Sequence, residues 1–260
     1  MDHTFPKFEL NPASRVRHVV AVASGKGGVG KSFVTTSLAV MLQRQGLRTA
    51  ILDADMTGPS IPQALGLTQV GGMADKLIRP AVTATGIQVM SVNLMLKDPT
   101  APVVWRGPMI TGAIQQFWSE VWWDHVDLML IDMPPGTGDV PLTVFQSLPV
   151  EGLLMVATPQ DLVSMIVAKA AKMASVMKVP LLGLVENMSY FNCPHCGEKS
   201  YPFGEGKTAA AAQKLDTQLL DELPLNPAYA GLADAGRVEY LPEPVLQGTV
   251  RAITRRFSWT

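Results

Sequence analysis

Cysteine is nearly absent: 260 residues contain two, which excludes a secreted scaffold stapled by disulfides. Both stand in one short motif, Cys193-Pro-His-Cys196. Charge is scarce as well. Asp, Glu, Lys and Arg make up 17% of the chain, against roughly 25% in an average soluble domain. The 21 basic and 22 acidic side chains leave a formal net charge of −1. The broad positive field of a general nucleic-acid binder is therefore missing, and no nucleic-acid partner is expected. No apolar run reaches the roughly 18 residues of a membrane-spanning helix. Residues 1–17 are polar, carry Pro6 and Pro12, and lack the apolar stretch of a secretory signal. They are expected to form a flexible N-terminal extension, and the expected location is cytoplasmic. Near the other end, Leu246, Val250, Ile253 and Phe257 share one helical face. Such a stripe next to Arg251, Arg255 and Arg256 can lie on a membrane surface. Docking on the core is the commoner use, so no stable membrane association is expected.

What is present is apolar residues in quantity, 47% of the chain, enough to exclude intrinsic disorder. They fall in short runs separated by helical patterns. Strands are expected at 18–24, 48–53, 126–131, 152–157 and 181–185, with a hairpin over 77–94 around Thr85-Gly86. Helices are expected at 31–45, 109–122 and 162–177, with a Pro-bounded segment at 99–108. Near-continuous apolar strands alternating with helices point to a mostly parallel sheet covered on both faces. The expected architecture is a single α/β domain of the P-loop NTPase type over residues 18–260, with an excursion at 189–206.

Directly after the first strand stands Gly25-Lys-Gly-Gly-Val-Gly-Lys-Ser32, a match to GxxxxGK[ST] in the strand–loop–helix setting that the motif requires. Its backbone N–H groups can cradle phosphates, helped by the positive end of the following helix. Gly25, Lys26, Gly27, Gly28, Val29, Gly30, Lys31 and Ser32 are the candidate nucleotide-binding residues. Lys31 is placed to reach the β- and γ-phosphates of ATP and Ser32 to ligate Mg²⁺. Asp132, ending a strand, has the position of a Walker-B carboxylate. Asp53 and Asp55 end another strand, where ligands of open α/β sheets bind. Asp55, beside Thr57-Gly58-Pro59, is the candidate for orienting an attacking water. The segment 134–139 is placed as a γ-phosphate-sensing loop. Lys26 is one lysine more than a plain P-loop needs. With it, the loop resembles the deviant Walker A of the MinD/ParA and nitrogenase-iron-protein class. That resemblance implies an ATP-dependent homodimer in which Lys26 crosses to the partner's nucleotide and joins Lys31 and Asp55 as a catalytic residue.

Cys193 and Cys196 can bind one metal centre from a tight turn, which Pro194 and Gly197 favour. A thioredoxin-like redox pair competes, but would want the motif to open a helix. A zinc site needs four ligands. The four histidines are His3, His18, His125 and His195, and none is spaced to complete one. A twofold dimer can bring two pairs together as Cys₄. Cys₄ suits [4Fe–4S] or zinc, and the sequence leaves that choice open.

Taken with Asp53-Ala-Asp55, Gly58-Pro-Ser-Ile-Pro62, Trp105-Arg-Gly-Pro108, 132–139, Thr158-Pro-Gln-Asp161 and Glu186-Asn-Met-Ser189, these motifs resemble the Mrp/ApbC family of iron–sulfur cluster carrier ATPases over residues 18–250. The resemblance implies an ATP-hydrolysing homodimer, slow in turnover, that holds a bridging [4Fe–4S] cluster. It would exchange that cluster with apo iron–sulfur proteins and cluster-assembly scaffolds. It also implies that Asn187 reads the adenine base. A positioning ATPase of the MinD/ParA kind with a structural zinc is the alternative. The chain departs from the family at Met56-Thr57, where Ile-Tyr is more usual, and at Trp122-Trp123. The small N-terminal domain of many bacterial members and the N-terminal cysteines of the eukaryotic cytosolic branch are not expected here, which leaves partner recognition open.

Overall fold

A computed structural model describes residues 7–56, 58, 60–96, 107–160, 166–242 and 244–259. The chain begins with β1 (Val16–Ser24), α1 (Lys31–Arg44), β2 (Thr49–Asp53) and the short α2 (Ile61–Ala64). Four short strands follow: β3 (Met73–Ala74), β4 (Leu77–Ile78), β5 (Ala81–Val82) and β6 (Gln88–Met90). Next come α3 (Gly107–Ser119), β7 (Val126–Asp132), α4 (Asp139–Ser147), β8 (Gly152–Ala157) and α5 (Ile166–Val176). The last part holds β9 (Leu181–Asn192), β10 (Lys199–Ser200), α6 (Thr208–Lys214), β11 (Leu219–Pro224), α7 (Pro227–Asp234) and α8 (Gln247–Arg256).

The main sheet runs β10-β9-β8-β1-β7-β2-β6-β5, with β11 also paired to β9. All its pairs are parallel except β10 with β9 and β5 with β6. Side chains alternate along β1: Val19, Ala21 and Ala23 join one buried cluster with Phe117 of α3 and Phe145 of α4. Val20 and Val22 join another with Val34 and Leu38 of α1 and Ile253 of α8. Helices therefore cover both faces, and this is the doubly covered α/β fold that the apolar runs predict. The stripe of α8 docks: Val250 and Ile253 are buried while Arg251, Arg255 and Arg256 face outward. No helix among the described residues is long and apolar enough to cross a membrane.

Register sets up the site. Asp132 lies opposite Val22 of β1 on one side and Asp53 of β2 on the other, so the carboxyl ends of three adjacent strands meet.

Several boundaries differ from expectation. Residues 7–15 are not a loose extension. Lys7 Nζ donates to the carbonyls of Phe145 and Leu148 at 2.8 and 2.7 Å, where the end of α4 leaves acceptors that suit a cation. Phe8 N donates to Ser147 O, Trp118 Nε1 donates to Phe8 O, and Phe8 and Leu10 pack on the core. The expected hairpin is smaller: only β5 and β6 pair around residues 83–86, while β4 pairs with β3. Helix α3 stops at Ser119 because the fully buried Trp123 must turn into the core, where its Nε1 donates to Phe117 O. Strand β9 runs seven residues past its expected end at Val185, to Asn192. Residues 99–106, Thr57, Pro59 and the start of the expected 162–177 helix lie outside the described residues.

Candidate nucleotide site and CxxC hairpin

The Gly25–Ser32 loop leaves β1 and enters α1 at Lys31. Gly30, preceding α1, is left-handed (φ 79°), a conformation that glycine adopts without steric cost. A Cβ there would also run into the Asn187 amide, so any other residue would add backbone strain and push Asn187 off the loop. Val29 is buried, whereas Lys26, Gly27 and Gly28 are exposed at the mouth.

Beneath the loop sits a compact polar cluster. Asp132, wholly buried, accepts from Lys31 Nζ at 2.6 Å and Ser32 Oγ at 2.6 Å through one oxygen. Thr35 Oγ1 donates to the other at 2.6 Å. Lys31 is itself buried and lies 3.7 Å from Asp55 Oδ2. Burying these charges is tolerable because they pair and hydrogen-bond one another. The structure thus brings Lys31, Ser32, Asp55 and Asp132 together. Thr35 was not foreseen; its one signal was its place four residues after Lys31, on the same helix face.

Asp53 completes the floor. Its two oxygens accept from Asp55 N at 3.1 Å and Ser91 Oγ at 2.9 Å. Burial, followed by the neighbouring charge of Asp132, holds its carboxyl well above the usual carboxylate range. A raised acid stabilises the fold most below its unfolded value, and that contribution is lost as pH rises through the folded value. Asp53→Asn keeps the shape and removes the charge. Its melting temperature is expected to exceed that of wild type at neutral pH, with the gap closing toward pH ~4, the unfolded carboxylate value. A gap independent of pH, followed by calorimetry across that range, would refute an ionisable Asp53 as its source.

The loop opens on a cleft of about 330 Å³ also lined by Asp55, Ser60, Gln63, Pro135 and Asp234. Gly136 N donates to Ser24 O at 2.9 Å, which ties the 134–139 segment to the end of β1. A smaller cavity of about 180 Å³ shares Gly30, Phe33 and Ala233 with the cleft and adds Asn187, Pro224 and Tyr229. Phe33 stacks on Tyr229 at 5.3 Å. Asn187, on β9, donates from Nδ2 to Val29 O at 2.9 Å, so its side chain also braces the loop.

The two cysteines occupy the turn joining β9 to antiparallel β10, not the start of a helix. Cys193 N donates to Glu198 O at 2.9 Å and Gly197 N to Cys193 O at 2.8 Å, with Gly197 left-handed at φ 76°. Backbone N–H groups of Cys196 and His195 point at the Cys193 sulfur, helped by the Cys196 thiol, and pull its pKa below the ordinary value. A thiol so biased toward thiolate is a better metal ligand. Cys193 is partly exposed and Cys196 exposed. Among the described residues no group of three or more His, Cys, Asp or Glu side chains converges as a metal site. His18 is occupied by Glu151 and stacked on Phe257, and His125 pairs with Asp124.

Residues 15–257 match the family described as ParA: NUBPL iron-transfer P-loop NTPase. The iron-sulfur cluster carrier protein of Methanocaldococcus jannaschii is 43% identical over 225 residues, covering 86% of this chain and 78% of that protein. The mouse iron-sulfur cluster transfer protein NUBPL is 41% identical over 247 residues, 94% of this chain and 76% of its own. Among solved structures, a nucleotide-binding protein of Archaeoglobus fulgidus in complex with ADP aligns with a TM-score of 0.80. Its identity is 43%, and the alignment covers 89% of this chain and 91% of that one.

Proposed function

Because this chain belongs to the family of NUBPL iron-transfer P-loop NTPases, we propose that it is an ATP-binding and ATP-hydrolysing iron–sulfur cluster carrier. In this reading two copies hold one [4Fe–4S] cluster between their CxxC turns and pass it to apo-proteins. The observation that carries it is the pairing, in one chain, of a complete P-loop charge cluster with a two-sulfur turn that gathers no further ligand among the described residues. Sulfur from a second copy makes up the four that such a cluster takes.

At the nucleotide site the loop amides and Lys31 bind the phosphates, and the cavity beside Asn187 receives the base. Asn187 donates one N–H to Val29 O, and its carbonyl oxygen is the group that would accept from the adenine amine. The hydroxyl of Ser32 and the carboxylate of Asp132, 2.6 Å apart, are the hard oxygen donors that suit Mg²⁺. Ser32 directly, and Asp132 through water, would hold that ion, which neutralises charge on the β- and γ-phosphates when bound. Lys31 must exchange its bond to Asp132 for one to phosphate. Asp55, close to that ammonium, orients water for attack. Lys26, exposed at the mouth, is the group able to reach a nucleotide on a facing copy.

The cargo gives the test. Anaerobic incubation of the full chain with iron and sulfide is expected to yield the visible absorbance of a cluster, with four irons per dimer by metal analysis. A colourless protein carrying one zinc per dimer would refute the carrier and favour the positioning ATPase.

A further inference from the structure

Glu186 is the last residue of β9 opposite β8, paired with Ala157, and its side chain is wholly buried. One carboxyl oxygen accepts from Ser189 Oγ at 2.6 Å. The other accepts from Thr208 Oγ1. Ser189 opens the excursion that carries the cysteines and Thr208 starts α6 just after it, so a single carboxyl group staples both ends. Gly206 allows this closure, because a Cβ there would collide with both Glu186 oxygens.

The next two residues connect that staple to the P-loop. Asn187 is tethered to Val29 O, and the side chain of Met188 reaches toward Gly30. Met188 itself is left-handed, φ 57°, a conformation that is costly for a residue with a Cβ and persists only where neighbours impose it. Here the tethers of Asn187 and Ser189 impose it from either side. The bend at Met188 therefore depends on those tethers, and it lies between the P-loop and the cysteine hairpin.

We propose that Glu186 is a positioning residue that makes the CxxC hairpin answer to nucleotide occupancy, resting on the reading that ATP binds the Gly25–Ser32 loop. Phosphates drawing the loop inward shift Val29 and with it Asn187, and the bend at Met188 takes up the change. Because Glu186 holds both Ser189 and Thr208, the hairpin then moves as one body instead of fraying at one end. The two thiols change their exposure together.

The test reads the thiols directly and needs no cluster. Cys193 and Cys196 of the full chain are alkylated with iodoacetamide with and without saturating ATP and Mg²⁺, while ATP affinity is measured in parallel. Wild type and Thr208→Ser, which keeps the hydroxyl, are expected to change alkylation rate on ATP addition by at least about fivefold, the low end of ordinary coupling. Thr208→Val, matched in volume, is expected to reduce the change to less than about twofold with ATP affinity retained, since the two effects are separable free energies. Ser189→Ala cuts the other end of the staple and is expected to do the same should the valine variant fail to fold. A wild-type ratio in a folded, ATP-binding Thr208→Val or Ser189→Ala variant overturns the proposal, as does an ATP-bound wild type whose thiols do not respond. Failure of wild type to bind ATP would instead bring down the nucleotide-site reading on which it rests.

Discussion

Lys31→Ala is expected to lower ATP turnover by at least about a hundredfold, the scale of removing one preorganised donor from a charge-developing site. Two losses combine. The loop loses the cation proposed to bind the phosphates, and Asp132 loses an ammonium 2.6 Å away in a wholly buried position. The hydroxyls of Ser32 and Thr35 still donate to that carboxylate, but neither neutralises it. Breaking a buried pair on one side costs about 3–5 kcal/mol, so the nucleotide-free variant should also melt at a lower temperature. Adding Asp132→Asn to Lys31→Ala removes the stranded charge and is expected to recover much of the melting temperature without recovering turnover. Thermal melts and phosphate release on the same preparations separate the two effects. Turnover near wild type in Lys31→Ala would remove this lysine from the catalytic machinery.

The Cys193→Ala, Cys196→Ala variant is expected to lose its reconstituted cluster completely while binding ATP as wild type does. The turn itself should survive. It is organised by main-chain bonds from Cys193 N to Glu198 O and from Gly197 N to Cys193 O, neither of which needs sulfur. Cluster ligation does need thiolate, and these are the only two cysteines in the chain. Iron and sulfide content after anaerobic reconstitution, set beside nucleotide affinity, measures both halves. Full cluster content in the double variant would place the binding site elsewhere.

Much of the nucleotide site was legible because its pattern is local. Glycines at fixed spacing, a lysine and a hydroxyl between a strand and a helix define the loop without reference to the rest of the chain, and Asp132 announced itself by ending an apolar strand. Thr35 did not. A threonine four residues into an apolar helix reads equally well as filler, and only the approach of Asp132 from β7 gives its hydroxyl a charged partner. Asp53 reads as a second strand-end acid, yet its raised pKa depends on burial and on Asp132 alongside it.

The fold divides the same way. The strands β2, β7 and β8 are fully buried and β1 is buried from Val19 onward, and such stretches write themselves as continuous apolar runs. Strand β9 was read short because Glu186, Asn187 and Ser189 interrupt its pattern; Glu186 and Asn187 are in fact buried through Thr208 and Val29, distant in sequence, and Ser189 is buried on Glu186. Residues 7–15 looked like part of a polar, Pro-containing extension, and nothing local marks Lys7 as an anchor. Its acceptors, the carbonyls of Phe145 and Leu148, lie 138 and 141 residues away.

The chain's own order of residues determined its α/β class, the P-loop with Lys31 and Ser32, and the confinement of every thiol to one turn. These follow from periodicity, glycine spacing and counting, which are properties of neighbours. The tertiary structure alone decided which side chains share a charge. Lys31, Ser32 and Thr35 meet Asp132 across 101, 100 and 97 residues, and Glu186 gathers both ends of the cysteine hairpin. A buried polar group is stable only with its partners in place, and no local pattern states which distant residue that partner will be.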